Sequence, residues 1–356
     1  MFPEIESLHS EWDDNCHRLL IMALGFESRT FSFLKSDCSA LFSDALIYKY
    51  SNSHYEKNCN DQYLFDLLKR KGLSNNIYTI KFDRFFPSDF ESNLKSYLIN
   101  KINQYDEIII DISAMSKLLI VISIWLLKNY HGNIKIIYSE PVEYWPSEND
   151  FDKMKIAYGD SIENLTMLPS FGVHDVVRTP ELASVIMQQS PNIVIAFTSF
   201  NELLIRALMS SISPTHFFLI SSVPPYLKWR EAATLLLHEK LIEEFPADNP
   251  RDDKSTLIRR CSTLCYYETF KVIAEIYKKY CYDYRIILAP TGSKMQALGV
   301  SLIKCCCPDI HIEYPTPESY MTQNYSSKDL RAIHQIDFNY FSGFIENLSI
   351  TYDLNG

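Results

Sequence analysis

Short runs of consecutive apolar residues alternate along this chain with longer segments of mixed polarity. Leu19–Leu24, Ile108–Ile110 and Ile193–Phe197 contain no charged residue, which is typical of strands buried on both faces of a parallel sheet. Asp61–Lys71 and Glu231–Glu244 instead repeat apolar residues at helical spacing. Strands that alternate with helices in this way predict an α/β fold with parallel, doubly wound sheets.

The same strand and helix pattern occurs once in each half of the chain. In the first half we predict strands 19–24, 45–50, 76–82, 106–111 and 134–138, and helices 31–42, 61–71, 87–104 and 118–127. In the second half we predict strands 192–197, 216–221, 256–261, 284–288 and 310–314, and helices that begin at 203, 231, 266 and 295.

Two stretches also share a sequence plan, in which a buried strand leads into a small polar turn, a Ser-Lys pair and an apolar helix. Two tyrosines follow the helix in each half. The number of residues between corresponding tyrosines of the two halves differs by one from the number between the two lysines. The corresponding residues are Ser116, Lys117, Tyr138 and Tyr144 in the first half and Ser293, Lys294, Tyr314 and Tyr320 in the second. Matches in register of this kind indicate an internal duplication.

We therefore predict two tandem Rossmann-like domains, each with a doubly wound parallel sheet, that arose by duplication. The first domain is predicted over 1–145 and the second over 189–325, with an elaborated connection over 146–188. Residues 326–356 are predicted to form a C-terminal tail with extended segments at 333–341 and 348–354.

Composition and charge narrow the classes of partner. The formal net charge of −10 disfavours binding of extended nucleic acid, because contact along its phosphate backbone requires a dense Lys/Arg surface. The longest apolar run, Leu118–Leu127, is about half of a membrane span, so no membrane association is expected. The N-terminus lacks a signal-peptide pattern and the nine cysteines form no CxxC pair, which predicts a reduced, cytoplasmic protein.

Ligands of open parallel sheets bind at the carboxyl ends of the strands, beside the point where the strand order reverses. The turns after the first and fourth strands flank that point, and here both are polar: Gly25–Thr30 with Asp111–Lys117, and Thr198–Glu202 with Pro290–Lys294. Each fourth-strand turn brings backbone N–H groups, a Ser hydroxyl and a Lys ammonium to a helix start, which favours an anion. We favour the second half, because its turn lacks an acid corresponding to Asp111 and contains a glycine that lets a phosphate approach closely.

The same residues also allow a structural interpretation. Ser113 or Thr291 could cap a helix while the lysine is solvated. Arg29 could pair with Glu27 or face a ligand, and Asp111, at the end of a buried strand, must be paired or face the crevice. Glu140 and Glu143 follow the fifth strand, where ordinary solvated surface is the simplest interpretation.

Motifs with a known chemistry are missing from the sequence. There is no GxGxxG, GxxxxGK[ST], GxSxG or HExxH motif, and no pair of the nine histidines has metal-ligand spacing. We therefore predict neither a metal nor a cofactor.

The turn Thr291-Gly292-Ser293-Lys294 resembles the ligand-binding turn of the CARF family, the Rossmann-like sensors of cyclic oligoadenylates in antiviral defence. In that family a second polar turn, after the first strand, completes the site. The resemblance implies that the ligand-binding residues are Thr291, Gly292, Ser293, Lys294, Thr198, Ser199 and Asn201, with Ser113, Ser116, Lys117, Gly25, Glu27 and Arg29 as their counterparts in the first half. CARF sensors place two such domains about a two-fold axis, by dimerisation or by fusion, and a duplicated chain fits that arrangement.

Three functions compete on this sequence. The first is a nucleotide or cyclic oligonucleotide sensor that has no effector domain of its own and gates a protein partner or a second copy of the chain. The second is an enzyme that acts on a nucleotide or phosphosugar and is ring-nuclease-like or phosphoribosyltransferase-like, with Asp111, Glu27 and Glu140 as acid/base or metal-holding groups. The third is a structural subunit of a defence complex whose crevices bind nothing.

Overall fold

The computed structural model describes residues 1–13, 15–51, 60–73, 76–158, 170–245, 258–320 and 328–354. The chain divides into two units. Unit 1 comprises Met1–Leu119, Leu126–Tyr144 and Ser326–Leu348. Unit 2 comprises Ile120–Trp125, Trp145–Tyr325 and Ser349–Gly356.

Strands and helices alternate through both units. The strands are β1 (Glu6–Ser7), β2 (Arg18–Leu24), β3 (Asp44–Tyr50), β4 (Ile77–Phe82), β5 (Glu107–Asp111), β6 (Asn133–Glu143), β7 (Ser170–Phe171), β8 (Asp175–Val177), β9 (Asn192–Phe197), β10 (His216–Val223), β11 (Ile258–Ser262), β12 (Arg285–Leu288), β13 (His311–Ile312), β14 (Tyr314–Thr316), β15 (Ser319–Tyr320) and β16 (Lys328–Phe338). The helices are α1 (Ser32–Lys35), α2 (Asn60–Arg70), α3 (Ser88–Lys101), α4 (Lys117–Leu126), α5 (Glu148–Tyr158), α6 (Glu202–Ile212), α7 (Trp229–Leu237), α8 (Glu239–Glu244), α9 (Tyr266–Tyr280), α10 (Lys294–Cys306) and α11 (Phe341–Thr351).

In unit 1, the described strands form a sheet in the order β1-β16-β6-β5-β2-β3-β4. The strands from β2 to β6 are parallel to their neighbours, and β16 joins β6 in antiparallel orientation. Leu19, Leu20 and Ile21 of the central strand β2 are completely buried, as a sheet covered on both faces requires.

In unit 2, the main sheet of the described residues has the order β11-β10-β9-β12-β13, and all of its pairings are parallel. Numbered from its own first strand, this order is third, second, first, fourth, fifth. The strands β4-β3-β2-β5-β6 of unit 1 follow the same order. The predicted fold class, α/β with Rossmann-like, doubly wound parallel sheets, is thereby confirmed, whereas the internal duplication stays a prediction.

The helix predicted over 31–42 is much shorter in the structure. A 3₁₀ turn at Ser28–Phe31 leads into α1, which ends at Lys35, and Ser36 is already extended. The Ser36 hydroxyl donates a hydrogen bond to the carbonyl of Phe33, the local competition by which serine ends helices. The apolar residues after it, among them Cys38 and Phe42, are buried in the core of unit 1, so their pattern reflects packing of an irregular segment.

Residues 328–338, which the sequence places in a C-terminal tail, form strand β16, so the extended segment predicted over 333–341 is confirmed as far as Phe338. This strand pairs with β6 from Lys328 to Phe338 and covers what would otherwise be an open edge of the parallel sheet. Helix α11 follows, so the extended segment predicted over 348–354 is helical to Thr351. The predicted domain boundaries themselves stay predictions, and the one between 325 and 326 lies outside the described residues.

Candidate functional site

Each sheet has its point of strand reversal where the sequence predicts a crevice. In unit 1 the point lies between β2 and β5, and in unit 2 between β9 and β12. The residues that leave these strands at their carboxyl ends are those of the four polar turns. Each pair of turns therefore flanks one candidate crevice.

The two turns of unit 1 are in direct contact. A Cβ atom on Gly25 would lie 2.8 Å from the Cβ of Ala114, closer than carbon atoms pack, so a glycine is needed for this approach. The same position is 3.2 Å from the hydroxyl oxygen of Thr30. The turn after β2 thus places the Thr30 side chain beside the turn after β5.

Asp111 and Ser113 form hydrogen bonds that stabilise the turn after β5 and join it to β6. The Asp111 carboxylate accepts a 2.9 Å hydrogen bond from the backbone N–H of Ser113. The Ser113 hydroxyl in turn accepts a 2.8 Å bond from the N–H of Ser139, which belongs to β6. Both side chains are buried, so their contribution is to hold the shape of the turn.

Helix α4 begins with a serine cap and a half-buried lysine. Ser116 accepts a hydrogen bond from the N–H of Leu119, and its own N–H donates a 2.7 Å bond to the hydroxyl of Tyr50. The Tyr50 hydroxyl donates a 2.9 Å hydrogen bond to the carbonyl of Ala114. Burial lowers the pKa of Lys117 to about 8, because removal from water disfavours the charged amine.

Arg29 and Glu27 form a buried ion pair. Arg29 Nε lies 2.6 Å from Glu27 Oε2, and each side chain is 7% exposed. The guanidinium also donates to the carbonyl of Ser139 at 3.3 Å and lies over the ring of Tyr138. Burial lowers the pKa of Arg29, but the charge and hydrogen bond of Glu27, together with Tyr138 and Tyr144, outweigh it and the net pKa is raised. Of the two roles that the sequence allows for Arg29, the structure has the pairing with Glu27.

Two hydroxyl groups beside this crevice have no hydrogen-bond partner among the described residues. They belong to Thr30 and Ser139, which are both 0% exposed. Sequence reasoning missed both. The sequence feature that could have indicated them is their position: Thr30 is the last residue of the turn after β2, and Ser139 follows the point where β5 stops pairing with β6.

Glu140 is not solvated surface, as the sequence interpretation has it. It is 4% exposed, and its carboxylate contacts His334 Nε2 at 2.8 Å and Arg331 Nε at 3.7 Å. Glu143 is exposed, in agreement with the expectation. The hydroxyl of Tyr138 lies 2.9 Å from that of Tyr144, so an aromatic pair lines the same end of β6.

In unit 2 the predicted site residues form hydrogen bonds within the protein. The Thr291 hydroxyl accepts from the N–H of Phe197 at 2.9 Å and donates to its carbonyl at 2.7 Å, which joins the two turns. The Thr198 hydroxyl accepts from the N–H of Ser222. Ser199 accepts a 3.3 Å bond from the N–H of Asn201, which is buried.

The start of helix α10 is closed by a capping box. The Ser293 hydroxyl accepts from the N–H of Gln296, and the Gln296 side chain accepts from the N–H of Ser293 at 2.7 Å. A Cβ on Gly292 would lie 2.0 Å from that Gln296 oxygen. The glycine therefore makes room for the capping glutamine, and Lys294 stands half-buried at the first position of the helix.

Further structural findings concern membranes and metals. In the described part of the chain, no helix combines the length and apolarity that crossing a bilayer requires. Nor do the described residues bring together three or more His, Cys, Asp or Glu side chains that could hold a metal ion.

Comparison with known proteins gives little for this chain. No protein-family model matches it, and no curated protein matches it. Among solved structures it is similar to the cytoplasmic domain of a prokaryotic cation chloride cotransporter, at 8% identity and a TM-score of 0.24, over 86% of this chain and 99% of that one. It is also similar to Can2 from Sulfobacillus thermosulfidooxidans in complex with cyclic tetra-adenylate, at 10% identity and a TM-score of 0.25, over 83% of this chain and 95% of that one. Scores at this level carry no argument about a ligand.

Proposed function

We propose that unit 1 binds a small anionic nucleotide in the crevice between the turns after β2 and β5. The observation that carries the proposal is the pair of buried hydroxyls of Thr30 and Ser139 beside those turns, which have no hydrogen-bond partner in the described part of the chain. A buried polar group without a partner costs about 1–3 kcal/mol. A polar ligand that reaches these oxygens would recover part of that cost, which makes them candidates for ligand contacts.

The charges at the crevice favour an anion. Lys117 is the first residue of α4, where the positive end of the helix dipole also attracts negative charge. Its lowered pKa of about 8 reflects the cost of holding an ammonium away from water. A phosphate against the amine would offset that cost.

Unit 1 is favoured over unit 2 by the hydroxyls of Thr30 and Ser139, which have no hydrogen-bond partner among the described residues. The hydroxyls of Ser113 and Ser116 in its turns are engaged within the protein. In unit 2 the hydroxyls of Thr291, Thr198 and Ser293 are engaged within the protein. The N–H of Ser293 is also engaged, by Gln296 of the same helix. Binding at the second crevice would first require these bonds to break, so it is the weaker candidate, although the sequence favours it.

The CARF resemblance supplies the more specific form of the proposal. It implies that the nucleotide is a cyclic oligonucleotide, and that the protein is a sensor of a prokaryotic antiviral defence system that gates a partner protein. This ligand class is consistent with the net charge of −10, because a small messenger needs a local cationic pocket and not a broad basic surface.

Calorimetric titration with mono-, di- and cyclic oligonucleotides tests the proposal. Lys117→Met keeps the length of the side chain and removes its charge, and Lys294→Met is the matched control at the equivalent position of unit 2. A hydrogen bond to a charged group contributes roughly 1.5–3 kcal/mol, so we expect Lys117→Met to weaken binding about 10- to 150-fold. Lys294→Met should bind within about twofold of wild type.

The other outcomes point to other functions. Loss of binding in Lys294→Met alone would move the site to unit 2, as the sequence first indicates. No binding by wild type across the whole panel would leave the structural-subunit hypothesis in front. The melting temperatures of both variants show whether each substitution alters ligand binding alone or also destabilises the fold.

A further inference from the structure

A buried histidine in unit 2 lies between a hydrogen-bond donor and an acceptor. His311 belongs to β13, the strand that ends the order of the main unit 2 sheet, and its side chain is 4% exposed. Its Nδ1 accepts a 3.0 Å hydrogen bond from the backbone N–H of Ser184. Its Nε2 lies 3.2 Å from Oε1 of Glu313. Because an N–H only donates and a carboxylate only accepts, the ring is neutral and carries its hydrogen on Nε2.

The bond to this histidine helps to hold residues 179–186, the covering segment, along the edge of β13. The carbonyl of Leu182 accepts a 3.3 Å hydrogen bond from the N–H of Ile312, which also lies on β13. The carbonyl of Ser184 accepts a 2.9 Å bond from the guanidinium of Arg285. Leu182 is completely buried, so the covering segment is packed against the sheet.

A proton on Nδ1 is incompatible with this arrangement. A protonated imidazole donates from both nitrogens, so Nδ1–H would face the N–H of Ser184 and the hydrogen bond between them would be lost. Once the segment has moved away, the imidazolium still donates to Glu313, whose negative charge favours the protonated ring. The closed segment therefore excludes the proton, whereas the open segment allows the ring to bind it.

We propose that His311 is a pH-sensitive switch whose protonation releases the covering segment from β13 as the pH falls. Histidine is suited to this role because its charge ordinarily changes between about pH 5 and 8. Release leaves the N–H of Ile312 without the carbonyl of Leu182 and opens an edge of the sheet. An open edge presents unpaired backbone groups to which another strand can pair.

The charges around the ring set the pH of opening but not its direction. Arg178 Nε lies 2.8 Å from the Glu313 oxygen that the ring contacts, and Arg285 begins the neighbouring strand β12. Lys304 of α10 donates to the carbonyl of the residue before the histidine. These cations disfavour the imidazolium, while Glu313 and the half-buried Glu181 of the covering segment favour it. Because the proton binds to the open form in every case, opening increases as the pH falls.

Amide hydrogen exchange of the full-length protein between about pH 8 and 5 tests the switch, with protection factors corrected for the exchange of unstructured amides. Opening takes up one proton, so we expect the protection of the covering segment to fall by up to about tenfold per pH unit. The central strand β9 should keep its protection throughout.

Two variants separate this histidine from others. His311→Asn places an amide oxygen where Nδ1 stands, so the bond from Ser184 persists without a group that titrates. We expect the protection of the covering segment in this variant to be independent of pH. His216→Asn is the matched control, since this histidine begins β10 of the same sheet and bonds to Tyr284. It should respond to pH as wild type does.

Either of two results would overturn the switch. One is equal protection of the wild-type covering segment across the pH range, and the other is a wild-type pH dependence in His311→Asn. Should His311→Asn fold poorly, Glu313→Gln replaces it, because glutamine keeps an acceptor for Nε2–H and removes the charge that favours the imidazolium. We then expect the covering segment to open at lower pH than in wild type, and an unchanged profile would equally reject the switch.

Discussion

Replacing Arg29 with Met removes the cationic partner of a carboxylate that the fold buries. The two side chains meet at 2.6 Å and are each 7% exposed, so Glu27 would keep its charge in a site with little water. Breaking one side of a buried ion pair costs roughly 3–5 kcal/mol. For a domain of about 150–250 residues each kcal/mol lowers the melting temperature by about 2–4 °C, so we expect a fall of roughly 6–20 °C for unit 1.

Thermal unfolding of a double-mutant cycle measures the pair itself. Glu27→Gln/Arg29→Met leaves no buried charge at the position, and we expect it to be more stable than Arg29→Met alone. A melting temperature within 2 °C or so of wild type for Arg29→Met would refute the reasoning. Arg29 would then be free to serve a ligand.

Three further predictions follow from the same geometry. Gly292→Ala should break the capping box, because the added Cβ collides with the Gln296 side chain. The free energy of unfolding should fall by about 0.5–2 kcal/mol and the melting temperature with it, and an unchanged melting temperature would contradict this role of the glycine. Nucleotide binding should weaken as pH rises through about 8, because Lys117 then loses its proton. The free energy of unfolding should rise between about pH 8 and the ordinary lysine pKa of about 10.4, because in that range only the unfolded chain keeps the proton; a flat profile of both quantities up to about pH 9 would contradict this. Tyr50→Phe should strengthen anion binding in calorimetry, because it releases the N–H of Ser116 to the ligand, and a weakened affinity would mean that the hydroxyl itself contacts the ligand.

Most of the fold could be predicted because burial on both faces leaves a plain signal. Runs such as Leu19–Leu24 and Ile193–Phe197 have no polar position, and the structure has them as the central strands β2 and β9. Strand β16 was predicted only in part, as an extended segment over 333–341, because it contains charged residues at several positions. Its partner β6 is about 190 residues away in sequence, and no local pattern reports a pairing over that distance.

The candidate site was only partly predictable, for a related reason. Sequence reasoning identified the four turns, since polar residues directly after a buried strand are a local feature. It could not identify His334, which reaches Glu140 only through the antiparallel pairing of β16 with β6. The unpartnered state of Thr30 and Ser139 is likewise a property of their surroundings and not of the residues themselves.

The two Ser-Lys turns look alike in sequence, yet the residue three positions after each serine separates them. In the second half that residue is Gln296, whose side chain reaches back to the N–H of Ser293 and completes a cap within one helix. In the first half it is Leu119, whose side chain has no hydrogen-bond acceptor. The N–H of Ser116 instead donates to the hydroxyl of Tyr50, which lies on β3. A cap built within one turn forms with the helix and does not need to open. The hydrogen bond from the Ser116 N–H to Tyr50 can be replaced by one to a ligand after a single rotamer change of the tyrosine. This difference supports the anion site at the turn after β5.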